Sequence, residues 1–113
     1  DAGLVSLSPL ESYECTVPSK LYSLMARRIP VLGVVAGEAA DIITGTAAGE
    51  IAIPGDTDSV AAAMTRMRGR IEAGEEFGTN PPEGQEPREW VIRHASAAAM
   101  GHGYERILRQ VIA

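Results

Sequence analysis

Apolar residues come in short runs broken by polar, proline- or glycine-bearing stretches, and the runs alternate between two periods. Residues 2–7 (AGLVSL) are apolar and partly β-branched. They give way to Ser8, Pro9 and a polar stretch over 11–16, which predicts a buried strand ending in a loop. Pro18 then stands where proline is tolerated, in the first turn of a helix. Leu21, Leu24 and Met25 recur at helical spacing through Arg28. A second strand is expected over 31–35, entered through Pro30 and released by Gly37, and a second helix over 38–43, ending near Gly45. Residues 50–53 read as a third short strand. The turn Pro54-Gly55-Asp56 follows, with the Asp56 carboxylate placed to cap the next helix. Val60, Ala63, Met64, Met67 and Ile71 mark the apolar side of that helix. Ser96 is placed to cap a last helix with Ala97, Met100, Tyr104, Ile107, Leu108 and Val111 on its buried side, although Gly101 and Gly103 weaken it.

Short strands alternating with helices predict an α/β fold of Rossmann-like, three-layer type. About three parallel strands form the sheet, helices cover both faces, and the crossovers are right-handed. The chain, 1–113, reads as one domain; residues 69–88, rich in glycine, proline and glutamate, read as an exposed, mobile loop. Three strands leave both sheet edges open, a liability that predicts pairing with a second copy or with further chain. The chain begins at Asp1 and runs directly into an apolar stretch, which reads as a cut inside a longer protein.

Composition narrows the function. Of 113 residues, 45% are hydrophobic and 22% charged, ordinary values for a globular domain, while only 4% are aromatic. A net charge of −5 argues against nonspecific nucleic-acid binding, which needs a dense cationic face. Cys15 is the single cysteine, so no internal disulfide framework exists, and a cytoplasmic setting is expected. No apolar run approaches the roughly 20 residues that span a bilayer.

In open parallel sheets, ligands bind beyond the carboxyl ends of the strands. The candidate site is therefore the loop over 8–17 with the helix start at Val17, Pro18, Ser19 and Lys20. Free amides, the positive end of the helix dipole, a hydroxyl and an ammonium would suit a phosphate there. Glu11 and Glu14 are placed to accept from sugar or ribose hydroxyls. The same residues also fit a plain helix start with a solvated lysine. His94 and His102 lack a metal-ligand pattern and read as solvated or hydrogen-bonded; no metal is expected. Cys15 has no neighbouring histidine motif to make it a nucleophile. The glutamates Glu75, Glu76, Glu83 and Glu86 read as a solvated loop, and Trp90 and Tyr104 as packing the tail onto the sheet.

The segment VPSKLYSLMARRIPVLG (17–33) resembles the Pro-Ser-Lys-Leu-Tyr segment of family-four glycosyltransferases, in particular the polysaccharide and lipopolysaccharide branch. DAGLVSLSP (1–9) resembles the strand that precedes it, and AGEIAIPGDTDSVAAAM (48–64) the later segment in which Pro-Gly-Asp opens a helix. Residues 89–108 are a weaker match to the closing helices. The resemblance implies the carboxyl-side domain of a GT-B fold, in which two Rossmann-like domains face across a cleft. This domain would hold a nucleotide-diphosphate sugar, with the turn at Pro18, Ser19 and Lys20 facing the diphosphate. Aligning Met25-Ala26 and Pro30-Val31 puts Cys15 and Ser23 where the family carries two glutamates. Glu14 adjoins the first of these, and Ser23, at the second, would donate to a ribose hydroxyl. Arg28 stands where the family has a small residue, usually glycine.

The resemblance further implies an enzyme that moves a sugar, with retention of configuration, to a glycan or lipid-linked acceptor. The substrate is the nucleotide sugar, and no cofactor is implied. The acceptor domain, the catalytic groups and the phosphate-clamping Arg and Lys belong to a region before Asp1, so the chain alone is expected to be incomplete and inactive. Peripheral association with the inner face of the membrane and a homodimer of the fragment are further expectations. Two alternatives remain: a non-catalytic binding module derived from the fold, favoured by the missing glutamates, and another GT-B-like enzyme such as a sugar-nucleotide epimerase.

Overall fold

The computed structural model describes residues 1–112, apart from the side chains of Glu11 and Ser12. Three parallel strands, β1 (Gly3–Ser6), β2 (Val31–Val34) and β3 (Gly49–Ala52), lie side by side in chain order. Gly3 pairs with Val31 and Val31 with Gly49; Ser6 pairs with Val34 and Val34 with Ala52. Helix α1 (Ser19–Ala26) links β1 to β2, and α2 (Glu38–Gly45) links β2 to β3. Helices α3 (Thr57–Glu72), α4 (Pro87–His94) and α5 (Ala97–Ile112) follow.

Strand residues alternate between two faces. One face carries Gly3, Val5, Val31 and Gly33. The side chain of Leu24 on α1 lies over Gly3, and that of Ile43 on α2 lies over Gly33. Gly33 is therefore a close-approach site: an added Cβ would lie 2.5 Å from Ile43 Cδ1. Leu21, Met25, Val31, Ala39 and Ile43 are fully buried here and form the core. Thr46, also buried, satisfies its hydroxyl on the Ile42 carbonyl at 2.7 Å.

The other face carries Leu4, Leu32, Glu50 and Ala52 and receives α3. Asp56 caps that helix by accepting from the Ser59 amide at 3.0 Å, an interaction worth about 1 kcal/mol. Ala63 and Met67 turn inward, while Met64 and Ile71, expected on the same stripe, are largely exposed. Glu50 fastens α3 to the sheet by accepting from Arg66 at 3.1 Å and Arg70 at 3.0 Å. Arg70 also pairs with Glu75 at 2.8 Å and stacks over Phe77. Burial alone would lower the Arg70 pKa; its bonds to Glu75 and Glu50 outweigh that and raise it. Helices thus cover both faces of a parallel sheet, but α3 leaves the β1 side uncovered, where Leu4 is 53% exposed.

Several expectations are corrected. Residues 69–88 are not one exposed loop: 69–72 complete α3 and 87–88 begin α4. The remainder is tied down where the Gly78 amide donates to the Ala47 carbonyl at 2.7 Å and the Glu83 amide to the Gly45 carbonyl at 3.1 Å. Helix α4 was not expected. Its start, Glu86-Pro87, combines a carboxylate cap for the Glu89 amide with proline in the first turn. Trp90 packs on Tyr22 of α1, centroids 6.0 Å apart, rather than on the sheet.

The largest correction concerns α5. Ser96 does cap it, accepting from the Ala99 amide at 3.1 Å, but the helix buries none of its residues. Ala97, Met100, Tyr104, Ile107, Leu108 and Val111, expected inside, are exposed. Tyr104, expected against the sheet, is 63% exposed. The helix runs off the body, so the radius of gyration is 15.5 Å, against about 13 Å for a compact chain of this size.

Candidate functional site

Three loops leave the carboxyl ends of the three strands on the same side, and together they enclose a cleft of about 420 Å³. After β1 come Leu7, Ser8, Pro9 and Leu10, then a 3-10 turn, Glu11–Cys15, that contributes Tyr13 and Glu14. After β2 comes Ala36, and after β3 come Ile53 and Pro54. Pro9, Leu10, Tyr13, Ile53 and Pro54 make the walls largely apolar, and Glu14 is their single charged residue among those described.

The walls are held by backbone geometry. The Leu10 amide donates to the Ser8 carbonyl at 2.8 Å, and the Tyr13 amide to the Leu10 carbonyl at 2.9 Å, which curls the loop over the strand tips. Gly37, which opens α2, sits at φ 66°, and a Cβ there would collide with the Glu14 carbonyl. Only glycine allows both that backbone and the close approach of the 3-10 turn. On the third loop, Ser59 Oγ accepts from the Ile53 amide at 2.9 Å and couples the cleft wall to the start of α3.

The expected site residues divide. Val17 and Pro18 are half-buried at the entrance to α1, with Pro18 at the capping position. Ser19 and Lys20 are exposed, and their amides have no hydrogen-bond partner among the described residues. Lys20 makes no ion pair among those residues. The start of α1 therefore has open donors, the positive helix end and an ammonium at the strand-tip end of the sheet. Glu14 lies in the cleft. Ser23 does not: it is exposed two residues from both Leu21 and Met25, on the outer side of α1. The Glu11 side chain lies outside the described residues. Cys15 is exposed.

Two neighbouring features refine this picture. Tyr22, one turn into α1, has its pKa raised by burial and then by the Glu38 carboxylate at the start of α2. Arg28 adopts φ 56°, the left-handed conformation that favours glycine. It pairs with Glu86 at 3.4 Å.

A second cluster escaped the sequence reading. Arg93 and His94 at the end of α4, with His102 and Arg106 on α5, line one hollow of about 390 Å³. Its faint signal was the Arg-His pair before Ser96 and the four-residue spacing of His102 and Arg106. Nothing in the local sequence indicated that α4 existed to bring them together. His94 lies 3.2 Å from Gln85 Oε1 and against Trp90, a hydrogen-bonded histidine as expected. Among the described residues, no three His, Cys, Asp or Glu side chains converge as metal ligands would. No described helix is long and apolar enough to cross a membrane.

No family model, curated protein or solved structure matches this chain.

Proposed function

We propose that the chain is the nucleotide-diphosphate-sugar-binding part of a retaining glycosyltransferase. The complete enzyme would move a sugar to a glycan or lipid-linked acceptor held by another domain. One observation carries the proposal: the amides of Ser19 and Lys20 and the Lys20 ammonium, exposed and without partners among the described residues, sit at the strand-tip end of a parallel sheet. A diphosphate leaving group gains negative charge in the transition state, and fixed donors and a cation stabilise that charge. The cleft at the same end of the sheet, which none of Val17, Pro18, Ser19 and Lys20 lines, has apolar walls, Tyr13 and the Glu14 carboxylate, and offers a ring-sized space and an acceptor for sugar or ribose hydroxyls. The left-handed backbone at Arg28 adds support, because the resembled family has glycine there and glycine takes that conformation without strain. The nucleotide sugar is the substrate, and neither metal nor cofactor is needed to hold it. The setting proposed is the cytoplasm, with the complete protein at the inner face of the membrane.

The experiment is calorimetric titration of the protein with uridine, guanosine and adenosine diphosphates. One should bind, and Lys20→Ala should weaken it by about tenfold, the loss of one charge-assisted contact. Unchanged affinity would remove Lys20 from the site, and binding of none of the three would remove the donor reading altogether. The second reading, a binding module without chemistry, is favoured by Cys15 and by the outward-facing Ser23 at the positions of the family's glutamates. Donor binding without any transfer, in a protein that includes the acceptor domain, would select it.

A further inference from the structure

The hollow between α4 and α5 is unlike the rest of the surface. The protein carries a net charge of −5, yet among the described residues Arg93, His94, His102 and Arg106 line this one hollow with Ala99 and Gly103 and no carboxylate. Ala99 and Gly103 are small and leave the centre open. Arg106 has no ion-pair partner among the described residues; Arg93 has one long contact, 3.5 Å to Glu89, which lies outside the hollow. Two guanidinium forks, one from each helix, suit tetrahedral oxyanions, because each fork can give two parallel hydrogen bonds.

The hollow also lies at a telling end of the molecule. Arg28 at the end of α1 pairs with Glu86 at the start of α4, and Tyr22 stacks on Trp90 further along both helices. The two helices are therefore antiparallel. The end of α4 lies toward the start of α1, the strand-tip end where the cleft opens.

We propose that the α4–α5 hollow is a phosphate-group site, held by Arg93 and Arg106 with the two imidazoles as further donors. It takes a phosphate monoester or diphosphate, either on a soluble molecule or on a lipid headgroup beside the apolar stripe of α5. This goes beyond sugar transfer and stands on different residues.

The test follows backbone amide resonances of the ¹⁵N-labelled protein during titration with sodium pyrophosphate at constant ionic strength. Saturable shifts over residues 93–106 are expected. An Arg93→Ala/Arg106→Ala variant should weaken binding by about tenfold or more, while Arg27→Ala, at the far end of α1, should leave it unchanged. A second arm measures co-sedimentation with phosphatidylcholine vesicles, with and without phosphatidic acid, whose headgroup is a phosphate monoester. Pyrophosphate binding identifies a soluble ligand. Sedimentation that needs phosphatidic acid and both arginines identifies a headgroup. If residues 93–106 do not respond to pyrophosphate and the vesicles do not discriminate, the site does not exist. Shifts confined to residues 18–21, or a folded double variant that binds as well as the parent, overturn it equally. The unmutated protein alone locates the response, so a variant that fails to fold does not blunt the test. Lys20→Ala should leave the response at 93–106 intact, which separates this site from the donor site.

Discussion

Arg28 and Tyr22 show how single residues on α1 bear the constraints of the whole fold. Arg28 turns the chain back toward β2 at φ 56°, a conformation costing an L-residue roughly 1–2 kcal/mol that glycine would not incur. Its guanidinium reaches Glu86 and helps align α4. Tyr22 stacks on Trp90, and its pKa is raised by burial and by the Glu38 carboxylate. The folded protein thus holds the phenolic proton more tightly than the unfolded chain. That contribution is complete below the ordinary tyrosine value near about 10 and is lost as pH rises from there through the higher folded value. Thermal midpoints measured at a series of alkaline pH values should fall more steeply for the parent than for Tyr22→Phe. Equal slopes would show that Tyr22 does not carry the effect.

Among the elements, β1 to β3 and α1 to α3 were legible from hydrophobic period, proline and glycine punctuation and the Asp56 cap, with boundaries off by a residue or two. Helix α4 was hidden because glycine, proline and glutamate dominate the approach to it, and only eight residues carry it. Its stability comes from Trp90 on Tyr22 and from the buried Val91, contacts that depend on where α1 stands. Helix α5 shows the opposite failure. Its amphipathic pattern is strong, yet pattern says only that a face wants burial, not what will bury it. Within this chain α5 touches only α4 appreciably. Hydrogen exchange should therefore be fast throughout α5 and slow in β2 and the inner turns of α1, since no packing holds α5 closed. Protection of α5 equal to that of β2 in dilute solution would mean that something covers it.

At the scale of the whole molecule, two apolar surfaces lack partners: the β1 side of the sheet, with Leu4, and the stripe of α5 from Met100 to Ile112. Both outer edges of the three-stranded sheet are open as well. Exposed apolar area of this kind, next to unpaired strand edges, drives association. Light scattering on the protein at tens of micromolar should report a dimer, and Tyr104→Asp with Leu108→Asp should shift it toward monomer. A strictly monomeric, well-folded parent would contradict this.

By itself, the sequence determined the alternation of strands and helices, the parallel sheet and the address of the cleft beyond the strand ends. Those follow from local periodicity and from the few ways right-handed crossovers can be built. It likewise marked Ser19 and Lys20, because a helix start is a local event. Only the tertiary structure decided that Ser23 faces outward, that α5 stands clear of the core, and that Arg93 and Arg106 share one hollow. Each of these depends on how elements far apart in the chain are oriented in space, and that orientation is set by packing contacts that no local pattern encodes.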